Sequence, residues 1–178
     1  MISVVERQKT LKDLIEFYGV ILEKDLPVHI SGIQLLGAIA ENESSFGLHR
    51  FSKHEVAWDQ GGKYFDKELW LLHGSDASCS RSSFQLMYPI AVREYGLSKE
   101  TPPYILDEDH VCIFYVMKYL KKKMSLGANS VEKILDAYNS GTHIDAQSDH
   151  VKNYVARGIT NYLQVRTTRN LKGGRIVA

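Results

Sequence analysis

The stretch Ile30-Ser31-Gly32-Ile33-Gln34-Leu35-Leu36-Gly37-Ala38-Ile39-Ala40-Glu41-Asn42-Glu43 decides how the rest of the chain is read. Ile33, Leu36, Ile39 and Ala40 recur at the spacing of one helix face and predict a helix from about Ile30 to Asn42 with that stripe turned inward. Glu43 follows Leu36 by seven residues, Ile39 by four and Ala40 by three, so it continues the same stripe. A carboxylate in that position is costly unless it is paired or protonated, and a helix C-terminus disfavours negative charge. Burial and dipole together favour the protonated acid, the form that a general acid needs near neutral pH. The plain alternative is that the helix ends one residue early and Glu43 turns to solvent.

Helical signals flank this element on both sides. Leu11, Leu14, Ile15, Tyr18 and Leu22 repeat with helical period, and Pro27 closes that first helix. Pro89 fits the first turn of a helix ending at Gly96. Asp107 can cap an apolar helix through Val111, Phe114, Met117 and Leu120, with Lys121–Lys123 at the end that complements the dipole. Ser130 can cap a short helix reaching Tyr138, followed by Gly141. A last helix places Val151, Tyr154, Val155, Ile159, Tyr162 and Leu163 on one face. Between Ser44 and Met87 the chain lacks clear period, holding Gly61-Gly62, Gly74, a serine-rich run and scattered aromatics; a long irregular segment of this kind usually carries function. The expected class is mainly α, a single domain over 1–170 with a long irregular insertion and a flexible basic tail over 171–178.

Bulk properties narrow the function. The chain has 178 residues, enough for one core, and 44% hydrophobic with 24% charged residues is ordinary for a globular protein. A formal charge of +1 supplies no field to draw it to nucleic acid. The basic run Lys152, Arg157, Arg166, Arg169, Lys172 and Arg175, without an acidic neighbour, is a solvated helix face or a weak attraction to an anionic polymer such as the cell wall. No apolar run predicts a signal peptide or stable membrane insertion. Cys79 and Cys112 are core thiols or one bridge; spacing does not decide. His49, His54 and His73 form no zinc spacing, and neither a nucleophile elbow nor a phosphate loop is present, so the expectation is no metal and no cofactor.

Four short motifs then point one way. Glu43-Ser44-Ser45-Phe46 resembles the Glu-Ser-x-aromatic signature of soluble lytic transglycosylases, the goose-type lysozyme-like family that includes phage-type muramidase domains. Ser82-Ser83-Phe84-Gln85-Leu86-Met87-Tyr88-Pro89 resembles their Gly-x-x-Gln-Leu/Ile-Met-Pro segment, and Ala137-Tyr138-Asn139-Ser140-Gly141 their Ala-Tyr-Asn-Ala-Gly motif. Tyr154-Val155-x-x-Gly158-x-x-x-Tyr162 is similar to their terminal Tyr-Val helix. Each fragment is weak alone, but four occur in the family's order. The resemblance implies a lysozyme-like fold with a substrate groove between a helical core and a smaller lobe. It implies Glu43 as acid/base, Ser44 touching the sugar or steadying the carboxylate, and Gln85 and Tyr138 lining the groove, with Tyr138 supporting transition-state charge. Asn139 would bond backbone or an acetamido group, and Tyr154 would lie in the same substrate-binding set.

Two departures from the family pattern bear on the chemistry. Ser82 stands where the family has Gly, so the backbone there need not be as tight. The Glu43–Gln85 interval is longer than in the commonest members, and Arg50–Trp58 with Gly61–Phe65 looks like the insertion of some phage-type muramidases. That insertion brings further acids, of which Glu55 is the best second carboxylate; its plain alternative is an ion pair with a nearby Lys or Arg. An inverting hydrolase needs a second carboxylate about 6.5–9.5 Å from the first, whereas a lytic transglycosylase needs Glu43 alone. Trp58 and Tyr64 are the aromatics expected to stack on sugar, the others holding the insertion down.

The resulting expectation is cleavage of the MurNAc-β-1,4-GlcNAc bond of peptidoglycan glycan strands with 1,6-anhydromuramic acid formation. The alternatives are a hydrolytic muramidase using Glu55, a non-catalytic wall-binding module and a chitin-directed glycosidase. With no export signal in the sequence, the expected setting is synthesis in the cytoplasm and action on the wall after release, as a phage lysin or as part of a virion or secretion assembly.

Overall fold

The computed structural model describes residues 3–49, 51–141 and 148–173, with side chains as far as 164. Among them, seven α-helices carry most of the chain: α1 Val4–Leu22, α2 Gly32–Ser44, α3 Lys67–His73, α4 Tyr88–Tyr95, α5 Asp109–Ser125, α6 Val131–Ser140 and α7 Asp149–Gly173. Three short strands, β1 Lys53–His54, β2 Cys79–Arg81 and β3 Leu86–Met87, form one antiparallel sheet in the order β1-β2-β3. The class is mainly α, as the periodicity predicts. The chain divides into two compact units: one holds 1–14 with 43–119, the other 15–42 with 120–178.

In the second unit, α2 differs from its expected form in an informative way. It begins at Gly32 and continues through Ser44, so Glu43 is helical, and every residue from Gly32 to Ala40 is buried, not the predicted stripe alone. A helix apolar on all sides is a central one. Its approach to α1 is set by glycines: a Cβ at Gly19 would lie 2.6 Å from the backbone N and Cα of Ile33, and one at Gly32 would strike the Gly19 carbonyl oxygen. The Ser31 N–H donates to the Tyr162 hydroxyl at 2.9 Å, tying α7 to the start of α2. Near the other end, Asn42 donates to the Tyr154 carbonyl at 3.0 Å, and its Oδ1 accepts from Asn161 at 2.8 Å and Arg157 at 3.2 Å. Helix α6 is capped as expected, Ser130 accepting from the Lys133 N–H at 3.2 Å and Gly141 taking the left-handed conformation.

In the first unit, the expected irregular stretch is built from short elements. Lys53 pairs with Ser80 and His54 with Cys79; across the other edge Ser80 pairs with Met87 and Arg81 with Leu86. Arg81 is 3% exposed and its guanidinium bridges Asp76 at 3.1 Å and Asp107 at 2.9 Å. Asp107 therefore sits in a 3-10 turn ahead of α5, which starts at Asp109. Phe114, one of the apolar residues expected in α5, is exposed, as is Leu163 on α7. Cys79 and Cys112 are free buried thiols, that of Cys112 pushed up to about 12 by burial. Among the described residues no helix is long and apolar enough to cross a membrane. Helix α7 reaches Gly173, so the first residues of the expected tail are helical; the side chains of Arg166, Arg169 and Lys172, and Arg175 entirely, lie outside the described residues.

Gly19→Ala raises intrinsic helix propensity by about 1 kcal/mol, yet the backbone clash with Ile33 has no flexible atom to yield. The expected net effect is destabilisation by about 2–3 kcal/mol, as for overpacking a tight core. Urea unfolding measures it; an unchanged or raised midpoint would refute the close approach of α1 and α2.

Candidate functional site

The first unit brings two of the four motifs together. Helix α2 ends at Ser44, and the chain then turns through three consecutive left-handed residues, Ser45 (φ 49°), Phe46 (φ 54°) and Gly47 (φ 82°). The second motif, Ser82–Gln85, is the loop of the β2–β3 hairpin and holds two more, Ser82 (φ 67°) and Gln85 (φ 48°). Ser44 joins the two turns. Its hydroxyl donates to the Ser83 carbonyl at 2.8 Å and accepts from the Gly47 N–H at 2.8 Å. A left-handed non-glycine residue costs about 1–2 kcal/mol, and such strain gathers where geometry matters more than local preference.

Ser82 corrects an expectation. Serine in place of glycine predicts a backbone that need not be as tight, but the residue keeps the left-handed conformation. Its hydroxyl compensates in part by accepting from the Phe84 N–H at 3.2 Å, and the residue is fully buried. A short polar side chain is the substitute for glycine that tolerates this region best.

Glu43 occupies the last turn of α2 and is half-buried, less deeply than its place on the stripe predicts. Ser44, expected to touch the sugar or steady the carboxylate, is 2% exposed with its hydroxyl engaged by Ser83 and Gly47. Gln85 is a strut: its amide donates to the Ser82 carbonyl at 2.8 Å and the Phe51 carbonyl at 3.2 Å, while its oxygen accepts from Ser80 at 2.8 Å. Both amide protons are thus committed to the protein, and one oxygen lone pair remains for a ligand.

Ser80 extends this network to Glu55. The Ser80 hydroxyl lies 3.3 Å from Glu55 Oε1, and Lys53 Nζ lies 2.9 Å from the same oxygen. Glu55 therefore has the lysine partner expected of an ordinary loop carboxylate and also a link to the motif glutamine. Trp58 and Tyr64 pack against each other, centroids 5.1 Å apart and tilted by 34°, with the Lys63 ammonium 4.9 Å over the Tyr64 ring. Tyr64 is 45% exposed and Trp58 half-buried, so the pair is both a small core and an open aromatic surface.

A second polar group braces the insertion. Asp59 lies 2.7 Å from His54 Nε2 and accepts from Trp70 Nε1 at 3.2 Å. The Gln60 backbone N–H, then His54 and Trp70, hold its carboxyl below the usual carboxylate value against a smaller effect of burial. Sequence reasoning passed over both Ser80 and this brace. A single serine and an Asp-His pair five residues apart carry no pattern until a hairpin and a turn bring their partners in.

The second unit holds the other two motifs. Tyr138 and Asn139 are half-buried in the last turn of α6. Tyr154 is 4% exposed, its carbonyl engaged by Asn42, so its ring offers little to a sugar and its place is in the packing of α7. Gly158 permits that packing, since a Cβ there would lie 2.8 Å from Leu135 and 2.9 Å from Asn42. Comparison of the chain with protein-family models, curated proteins and solved structures found no match.

Two outcomes follow from the geometry of the turns and the brace. Ser82→Gly relieves strain and loses one hydrogen bond, so its stability should stay within about 1 kcal/mol of wild type. Ser82→Val, β-branched at positive φ, should lose about 2–4 kcal/mol; equal urea midpoints for the two variants would show that the turn is not left-handed. Asp59 has a folded value below its unfolded one, so its contribution is present above about pH 4 and lost as pH falls through the folded value. Asp59→Asn should therefore flatten the fall in unfolding midpoint between pH 5 and pH 2, both in about the acid range where carboxylates titrate. An acid limb as steep as that of wild type would count against the brace.

Proposed function

We propose that the chain cleaves the β-1,4 bond between N-acetylmuramic acid and N-acetylglucosamine in peptidoglycan, as a lytic transglycosylase on a goose-type lysozyme-like fold. The observation that supports this reading is the 2.8 Å bond from Ser44 to Ser83, which joins the Glu-Ser motif to the Gln-Leu-Met motif across 39 residues of sequence. Chance likenesses scattered along a chain have no reason to meet in space, through strained backbone, at the residue beside the expected acid.

In this reading Glu43 gives its proton to the glycosidic oxygen as the bond to C1 breaks. The sugar's 2-acetamido oxygen steadies the resulting centre, and Glu43 then takes the proton of the muramic acid 6-hydroxyl as that oxygen closes on C1. Ser44 and the Ser82–Gln85 turn fix the helix end that carries Glu43. Tyr64 and Trp58 supply aromatic surface to the glycan. The reaction needs no metal or cofactor. The partner is the glycan strand, met after release of a lysin or from within a virion or secretion assembly.

A second reading, hydrolysis by a muramidase, is favoured by one observation: Glu55 is linked to the motif glutamine through Ser80. Digestion of purified sacculi, with fragments weighed by mass spectrometry, separates the readings. Anhydromuramic ends are expected of the transglycosylase, and reducing ends, heavier by one water, of the muramidase. Glu43→Gln should lower either activity by roughly 10²–10⁴-fold with the unfolding midpoint preserved. Retained activity in that variant would overturn Glu43 as the acid; intact sacculi after treatment with folded wild type would leave a wall-binding module in place of an enzyme, and faster turnover of chitin oligomers would redirect the substrate.

A further inference from the structure

Ser80 occupies the middle strand of the sheet, 3% exposed, opposite Lys53 on one side and Met87 on the other. Three oxygens surround its hydroxyl: Gln85 Oε1 at 2.8 Å, Glu55 Oε1 at 3.3 Å and the Lys53 carbonyl at 3.4 Å. A serine has one proton to donate and two lone pairs that accept. Its proton lies toward Gln85 Oε1 and is shared at longer range with a Glu55 carboxylate, while a protonated Glu55 can donate to a Ser80 lone pair. The Gln85 amide cannot replace it, because its protons are held by Phe51 and Ser82. Lys53 contacts the same Glu55 oxygen, but its side chain is 70% exposed and its pull is screened by solvent. A buried hydroxyl that serves a carboxylate in both protonation states suits a group that gains and loses a proton in each turnover.

We propose that Ser80 is a positioning residue that holds Glu55 beside the Gln85 turn as a water-activating base, and so sets the share of hydrolysis among the products. The proposal rests on the reading of the chain as a peptidoglycan-cleaving enzyme with Glu43 as acid. In the hydrolytic step Glu43 protonates the leaving oxygen and the C1–O bond breaks. A water oxygen bonds to C1 while its proton passes to Glu55; Glu55 then releases a proton to solvent, and Glu43 regains one. In the competing step the 6-hydroxyl oxygen bonds to C1 and its proton goes to Glu43, with no part for Glu55. Disturbing Ser80 should thus move the two products differently, whereas general loosening of the sheet would lower both together.

The test is digestion of sacculi by the full chain, counting anhydro and reducing ends for wild type, Ser80→Ala, Ser80→Thr and Glu55→Gln. Wild type should release reducing ends in measurable share. That share should fall roughly five- to fifty-fold in Ser80→Ala, as misplacement of a reacting group does, and by roughly 10²-fold or more in Glu55→Gln, which removes the base. Ser80→Thr, which keeps the hydroxyl, should restore it. Proportional loss of both products in Ser80→Ala overturns the proposal, as does an unchanged ratio in Glu55→Gln, the decisive variant should Ser80→Ala fail to fold. Anhydro ends alone from wild type would overturn it while sparing the parent reading. No fragments at all would end both.

Discussion

The hydroxyl of Ser44 is the point on which the first unit depends. It faces two ways, to the Ser83 carbonyl and to the Gly47 N–H, each at 2.8 Å. On either side of it lies backbone that would not hold its shape alone: Ser45 and Phe46 after α2, Ser82 and Gln85 in the hairpin loop, all left-handed without being glycine. A buried hydrogen bond contributes about 1 kcal/mol net, but leaving its partners unpaired costs about 1–3 kcal/mol. The two turns therefore stabilise each other through one side chain. Gly47 fits the same logic, since a Cβ there would press on Ser83 Oγ at 3.1 Å and on Leu11 at 3.3 Å.

From that joint the network runs outward through the sheet. Gln85 ties the hairpin loop to Phe51, Ser80 ties Gln85 to Glu55, and the paired strands bring Lys53 and His54 alongside. The His54-Asp59-Trp70 brace then secures the far side of the insertion. These polar contacts lie beside buried apolar side chains of the same stretch, among them Leu69, Phe84 and Leu86. Directed contacts fix atoms to a fraction of an ångström. Arg81 shows the same principle at the base of the hairpin, its buried guanidinium bridging Asp76 and Asp107.

The second unit has a different character. Glycines at 19 and 32 bring two backbones close, Gly158 admits Leu135 and Asn42, and Tyr162 reaches the start of α2. The last motif of the sequence is absorbed by this packing: Tyr154, Gly158 and Tyr162 each have a structural task.

The sequence by itself determined the mainly helical class and the bounds of α6 between Ser130 and Gly141, because period and capping are local and each residue carries its share of the signal. It also picked out the segments around Glu43 and Gln85, which Ser44 and Ser83 join. Tertiary structure alone decided that Ser44 and Ser83 meet, that Ser82 keeps a glycine-like backbone, that α2 is enclosed on every side, and that Ser80 stands between Glu55 and Gln85. Those facts depend on residues up to 39 positions apart in sequence, and the side chains that form them are serines and a glutamine. Such side chains have no period and little propensity to announce them; their role exists only once burial has removed water as the alternative partner.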